Sequence, residues 1–262
     1  MAVDDWRSEN ILVVAKAYPT PSGKSIESSC TAGIASNGEF VRLFPVPFRF
    51  LDGPKQFRKY SVVKARIRKA TSDARPESHK LDLDSLQVVA EPLTTARGWA
   101  DRRAILEPLQ ARSMEDLSRR QAKEGTSLGF IKPKTIKRFY WKAATPSGWT
   151  EMELAKLQQL GLFQGSPIRL LEKIPKEFHY EFTCYDEACK GHDMQCFDWE
   201  VAQSFRSWKI KYPDPAVFEQ KFMEKYRGEM IGTNDTHFFV GTVHNHPQNW
   251  TIIGLFYPPK KP

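Results

Sequence analysis

Between residues 11 and 91 the chain carries five short runs rich in β-branched and apolar residues: 11–15 (ILVVA), 29–35 (SCTAGIA), 39–45 (EFVRLFP), 60–68 (YSVVKARIR) and 86–91 (LQVVAE). Pro, Gly, Ser and Asp clusters such as PTPSG, SNG and LDGP separate them, which is strand-and-turn punctuation. Five such runs in about 85 residues predict a small barrel or a strongly curved sheet. In the fourth run Val63, Ala65 and Ile67 alternate with Lys64, Arg66 and Arg68, so a strand there buries one face and sets a row of cations on the other. A cationic face of this kind suits a phosphate backbone, and equally an edge strand guarded against aggregation.

The texture then changes. Residues 97–123 have helical spacing broken by Pro108, which predicts two helices or one broken helix. A strand follows at 136–142 (IKRFYWK), then a loop, Thr150 as an N-cap and an amphipathic helix over 151–160. Further on, the pattern gives strands at 177–183, 236–243 and 250–257 and helices at 197–209 and 215–227. The expected fold class is α+β, with a basic β-rich region over 1–145 that contains a helical insertion and a smaller α+β module over 146–262.

Charge divides along the same line. Residues 1–143 hold 26 Lys and Arg against 16 Asp and Glu, a net of +10, and residues 144–262 hold 13 against 15, a net of −2. A basic half serves a solvated surface or a polyanion, and counterion release makes nucleic acid a favourable partner. No apolar run approaches the ~20 residues that span a bilayer, and MAVDDWRSEN is acidic where a secretory signal is basic and then apolar. A cytoplasmic chain with no membrane partner is expected.

Four cysteines are too few for a disulfide scaffold, and three of them fall in Cys184-Tyr-Asp-Glu-Ala-Cys189-Lys-Gly-His192-Asp-Met-Gln-Cys196. Three thiols and an imidazole satisfy tetrahedral zinc, with Gly191 easing the turn. The expected ligands are Cys184, Cys189, His192 and Cys196 around a structural zinc. If Cys196 points into the core, then His179, His244 or His246 completes the set. The alternatives are buried thiols without metal and a reactive thiol.

Three further groups stand out. In Lys137-Arg138-Phe139-Tyr140-Trp141-Lys142 a strand puts Phe139 and Trp141 on one side and Arg138, Tyr140 and Lys142 on the other, so Tyr140 is placed to stack on a base while Lys137 and Arg138 meet phosphates. His192, Asp193, Asp198 and Glu200 form a carboxylate and imidazole group suited to a metal-dependent phosphodiester hydrolase, although Asp198 also reads as a helix cap. Asp73, Arg75, Glu77 and His79 crowd one loop, a candidate binding edge. No Walker loop, nucleophile elbow or dinucleotide glycine fingerprint is present.

ILVVAKAYPTPSGKSIESSCTAGI, EFVRLFPVPFRFL, DARPES and HYEFTCYDEACKGHDMQCFDWE resemble stretches of uncharacterised bacterial proteins with a dual OB-like domain. The resemblance implies an OB-like barrel, a fold that binds single strands or oligosaccharides on a strand face and two loops. The leading expectation is a nucleic-acid-binding module acting through Lys64, Arg66, Arg68, Lys137, Arg138 and Tyr140. A nuclease-like hydrolase and a protein-interaction or sensor subunit, with a protein partner at the C-terminal module, are the alternatives.

Overall fold

Closure of the first sheet into a barrel follows from its pairing. In the computed structural model, which describes residues 5–22, 25–155, 171–244 and 246–260, β1 (Arg7–Lys16), β3 (Ser25–Ala35) and β4 (Phe40–Val46) pair antiparallel in sequence. Strand β4 then pairs parallel with β6 (Ser78–Leu81), β6 antiparallel with β5 (Val62–Lys69), and β5 antiparallel with β1. That is a closed five-strand ring, compatible with an OB-like region. Two further strands hang from it, β2 (Thr20–Ser22) on β3 and β7 (Gln87–Ala90) on β5. The run at 86–91 is therefore a strand, but β6 is the one that closes the ring. Four of the five barrel strands match expected runs, and the fifth is the short polar SHKL segment.

Strand β5 alternates as its sequence predicts: Val63, Ala65 and Ile67 are buried, while Lys64 and Arg66 are exposed and Arg68 half-exposed. Strand β1 does not alternate, because both its faces are covered. Ile11 and Val13 point into the barrel core with Leu43, Phe57 and Ile67. Leu12, Val14 and Ala15 point outward into a separate core with Leu128, Phe130, Phe239, Ile253 and Phe256.

Those outer partners belong to a second, open sheet in the order β10-β11-β12-β14-β13-β9-β8. Its strands are β8 (Gln110–Ala111), β9 (Leu128–Ile131), β10 (Thr135–Ala143), β11 (Lys176–Thr183), β12 (His192–Cys196), β13 (His237–Val243) and β14 (His246–Phe256). Pro108 lies in a 3-10 turn between α1 (Ala96–Leu106) and this sheet, and α2 (Met114–Glu124) follows β8. The strands within residues 110–143 thus pair in the second sheet, and the junction of the two bodies lies near Pro108 and not at the expected division between 145 and 146. Charge misplaced it, because the lysines of β10 line the outer edge of the second sheet.

Helices α3 (Trp199–Lys211) and α4 (Pro215–Met223) are capped by Asp198 and Asp214, and a π-helical segment, Glu224–Thr233, continues from α4. Phe205, Phe218, Phe222 and Tyr226 from these helices bury Phe139, Phe178 and Trp141 of the sheet. Earlier in the chain, after β10, Thr150 opens a helix and exchanges hydrogen bonds with Glu153 as a capping box; of the expected helix at 151–160, only 151–155 lies within the described residues.

The charged loop before β6 is spent on the junction of the two bodies. Glu77 accepts from the Ser127 amide (2.8 Å) and hydroxyl (2.6 Å), and Arg75 donates to the Thr242 carbonyl at 2.7 Å. Asp73 holds Arg75 and Ser78; burial opposes its ionisation, but those hydrogen bonds outweigh it and keep the carboxyl well below the usual range. His79 is buried. The candidate binding edge at 73–79 is in fact part of an internal seam, joined by fully buried Arg42, which donates to the Ser127 carbonyl at 2.7 Å.

A close approach of β1 to β14 elsewhere in the junction sets a stability test. A Cβ at Gly254 of β14 would lie 2.7 Å from the Ala15 Cβ and 3.3 Å from the Phe239 ring. Gly254→Ala is expected to cost about 1–3 kcal/mol as overpacking, read as a lower urea midpoint with unchanged slope, and Ala15→Gly in the same chain should recover part of it.

Candidate functional site: a metal-type cluster and a cationic cleft

The loop from β11 to β12 carries Cys184 and Cys189 and ends at His192, whose approach needs Gly191 at φ 95°, a left-handed backbone suited to glycine. Helix α2 docks its N-terminus over this loop: Ser113 caps the Asp116 amide and donates to the Asp186 carboxylate. The docking brings Glu115, in the first turn of α2, to the loop. Its Oε1 lies 3.0 Å from His192 Nε2, which is 3.4 Å from Cys189 Sγ. The ligand atoms of Glu115, Cys184, Cys189 and His192 all lie within 4.8 Å of one another and have the arrangement to hold one metal ion. Glu115 Oε2 is buried with no hydrogen-bond partner, a state that a bound cation would relieve.

Cys196 is not part of this group. It stands four residues beyond His192 on the same strand, about 13 Å away at ~3.3 Å per residue, facing Ile252 and Phe178 in the core. Burial pushes its thiol far above the usual range. None of the alternative histidines replaces it: His179 hydrogen-bonds Asp193 at 3.1 Å, His244 sits 3.6 Å from Asp73, and His246 is exposed.

The acidic group at 192–200 separates into three neighbourhoods. His192 joins the cluster above. Asp193 accepts from Tyr140 at 2.6 Å and meets His179, whose ring stacks on Tyr140. Asp198, only 2% exposed, accepts from the Glu200 amide (2.6 Å), the Leu255 amide (2.7 Å) and Lys59 (3.3 Å). Its acceptor capacity is taken up by the protein.

Lys59 precedes β5, and its ammonium is enclosed by Asp198, Glu200 (3.3 Å) and the Leu255 carbonyl (2.6 Å). Burial disfavours its charge, but the two carboxylates overcompensate and hold it protonated. Around this pair lies a cavity of about 410 Å³ between the two bodies, lined by Lys16, Arg58, Tyr60, Trp99, Arg102, Trp199, Glu200 and Tyr257 among others. Arg102 sits in the corner between two rings, its guanidinium carbon 4.0 Å from the Tyr60 ring centre and 4.6 Å from that of Trp99. Lys16 Nζ donates to the Phe57 carbonyl and sits 3.7 Å from the Phe48 ring centre, with Trp199 at 5.3 Å. Burial, with the charge of Lys59, lowers its pKa to about 8 against the pull of Glu200 and Asp198.

The backbone marks the same place. Among the described residues three non-glycines have left-handed φ: Tyr60 (69°), Arg97 (52°) and Trp99 (65°). With Gly98 between the last two, α1 begins as one left-handed turn, which costs roughly 1–2 kcal/mol for each non-glycine residue. Tyr60 and Trp99 both line the cleft. Strain concentrated in this way is characteristic of ligand sites.

The residues expected to meet nucleic acid fall on two surfaces. Lys64, Arg66 and Arg68 form the outward row of β5, Arg66 and Arg68 over the Trp6 ring and near Asp82 and Asp5 respectively. Lys137, Arg138 and Tyr140 stand on β10, the edge of the other sheet, where Glu181 pairs with Arg138 and Asp193 binds Tyr140. The cleft residues themselves have no local motif; Arg58-Lys59-Tyr60 and Arg97-Gly98-Trp99, which set cations beside aromatics, were their only sequence mark.

Lys59→Met leaves Asp198 as a buried charge without its counter-ion and is expected to cost about 3–5 kcal/mol, measured by urea unfolding. Adding Asp198→Asn should return part of the loss.

No curated protein matches the sequence. A family described as a domain of unknown function (DUF8758) matches residues 7–108, the barrel and α1, and another described in the same words (DUF8757) matches residues 110–262, the second sheet and its helices. The match over 110–262 covers more than half of the chain, which therefore belongs to the DUF8757 family.

Proposed function

We propose that this protein binds single-stranded or structured nucleic acid, with one nucleotide unit in the cleft between its two bodies and a structural zinc ion in the Glu115, Cys184, Cys189 and His192 cluster. The cleft carries the reading. Lys16, Arg58, Lys59 and Arg102 outnumber Asp198 and Glu200 there by four to two, an excess that favours an anion. Its ~410 Å³ falls within the usual range for ligand pockets, about 300–1,000 Å³. Trp99 and Tyr257 offer aromatic faces to a base, exposed Arg58 at the rim offers a cation to a phosphate, and half-exposed Glu200 offers an acceptor to a base edge or sugar hydroxyl.

From Tyr60 the chain enters β5, so the cations Lys64, Arg66 and Arg68 extend from the cleft over about 26 Å at ~3.3 Å per residue. That length suits an extended strand. Strand β10 contributes less, since carboxylates already hold Arg138 and Tyr140. Affinity for labelled single strands should fall linearly with log salt, and Trp99→Ala should weaken it by about 1–3 kcal/mol as a lost stacking platform. Arg58→Ala, an exposed change, should reduce both the affinity and the salt slope. Absence of binding at low salt removes this reading.

Zinc is favoured by the donor set: two thiols, an imidazole and a carboxylate match its preference, and four protein ligands leave no place for water, as in structural sites. The ion would pin α2 to the β11–β12 loop. Elemental analysis should find about one zinc per chain, lost in Cys189→Ser and in Glu115→Gln but kept in Cys196→Ser. Chelation should lower the melting temperature, because binding energy at such sites is folding energy.

A further inference from the structure

We propose that Lys16 is an amine nucleophile that forms an imine with an aldehyde carried close to a phosphate on a ligand in the cleft. The inference rests on the reading of the cleft as a site for phosphate-bearing ligands. Four features of the site support it. Lys16 ends β1 and lines the cavity, so its amine is within reach of a bound ligand. The ring centres of Phe48, Phe57 and Trp199 lie 3.7, 5.5 and 5.3 Å from the amine, and the rings remove much of its hydration. A second lysine, Lys59, lines the same cavity and is locked as a cation by Asp198 and Glu200, so Lys16 sits beside a fixed positive charge; among the described residues Lys16 itself makes no ion pair. Glu200, half-exposed at the cavity, supplies a carboxylate for proton transfer. A lysine desolvated and set next to another cation is the arrangement that activates amines for covalent catalysis, and the lowered pKa of about 8 accords with it.

The step balances without an oxidant or reductant. The nitrogen lone pair attacks the carbonyl carbon, a C–N bond forms, and the carbonyl π electrons move to oxygen. Glu200 takes the proton released from nitrogen and returns it to that oxygen, giving a carbinolamine. The nitrogen lone pair then closes the C=N bond as the C–O bond breaks, and Glu200 carries the remaining nitrogen proton to the departing hydroxide, so that water leaves and a neutral imine remains. Such an aldehyde has two sources, a ring-opened sugar within a nucleic acid strand that has lost a base, and a free phosphorylated aldehyde.

The test uses the full chain with sodium cyanoborohydride and two probes, an oligonucleotide bearing one abasic site and glyceraldehyde 3-phosphate, with adducts mapped by peptide mass spectrometry. The expected result is one dominant adduct on Lys16, absent from Lys16→Arg. Its rate should level off above about pH 8. The charged and titratable groups facing the amine are Lys59, Arg58 and Tyr60 before β5, Arg102 of α1, Asp198 and Glu200 at the start of α3, and Tyr257 after β14. Exposed lysines should instead keep accelerating toward about pH 10.4. Trapping of the oligonucleotide alone identifies the strand as the source. Trapping of the small aldehyde alone, in a protein that fails to bind nucleic acid, retains the nucleophile and discards the nucleic-acid reading. Adducts spread over exposed lysines and unchanged in Lys16→Arg overturn the proposal, as does tight nucleic-acid binding with no adduct on Lys16 from either probe. Should Lys16→Arg fail to fold, the wild-type peptide map decides on its own: unlabelled Lys16 among labelled surface lysines overturns it.

Discussion

An ammonium removed from water loses several kcal/mol of hydration, and only a close counter-ion with further hydrogen bonds offsets the loss. Lys59 meets that condition across the junction of the two bodies: it comes from the barrel, while Asp198, Glu200 and the Leu255 carbonyl come from the second sheet and its helix. Asp198 in turn caps α3 and accepts from the β14 backbone. This ion pair is one of the contacts that hold the barrel against α3 and β14, beside the Ser127 seam and the shared apolar core. The Ala17–Asp198 bridge and the Tyr18 amide bonded to the Phe197 carbonyl extend the same seam along the exit of β1. The cleft is the space left beside that pair, so the contacts that join the bodies also hold its walls.

This arrangement changes what an OB-like barrel offers to a ligand. Such barrels commonly bind through the face of their second and third strands and two loops. Here the third barrel strand, β4, sends Arg42 into Ser127, and the loop between β5 and β6 is bonded to Ser127, Leu128 and Thr242. The second sheet already fills part of that surface. The cavity opens instead at the end of the barrel where β1 stops and β5 begins, and there the second body supplies five of its twelve lining residues.

The strands that the sequence revealed carry runs of β-branched and apolar residues, buried on both faces in β1 and β13 and on one face in β5, and the helices it revealed include capped ones. Alternation in β5 and in β10, and the Asp198 cap of α3, are local facts that residues i and i+2 or a single side chain can express. Strand β6 escaped because its pairing with β4 spans two residues and its buried positions are Ser78 and His79, polar groups stabilised by neighbours far along the chain. The metal-type cluster was half legible for the same reason. Cys184, Cys189 and His192 lie within nine residues, whereas Glu115 arrives on a helix whose docking no spacing encodes, and Cys196 shared the spacing but not the position, since an extended strand carried it away. The cleft left no pattern to find, because its lining comes from six separate segments.

The strained turn at Arg97–Trp99 completes the physical argument. Two left-handed non-glycine residues persist only where the surroundings overdetermine them, and Trp99 is held by edge contacts with Phe256 and Tyr60 and by a tilted contact with Tyr257. Phe256 belongs to the core shared by both bodies, so the stability of that core is what keeps the turn in its costly conformation. If the turn relaxed to right-handed helix, Trp99 would leave Arg102 and Tyr257, and the cleft would lose an aromatic wall together with the ring that orients one of its cations. Burial at the junction thus maintains strain at the cleft, and a ligand that packs against Trp99 stabilises the same conformation that the core already enforces.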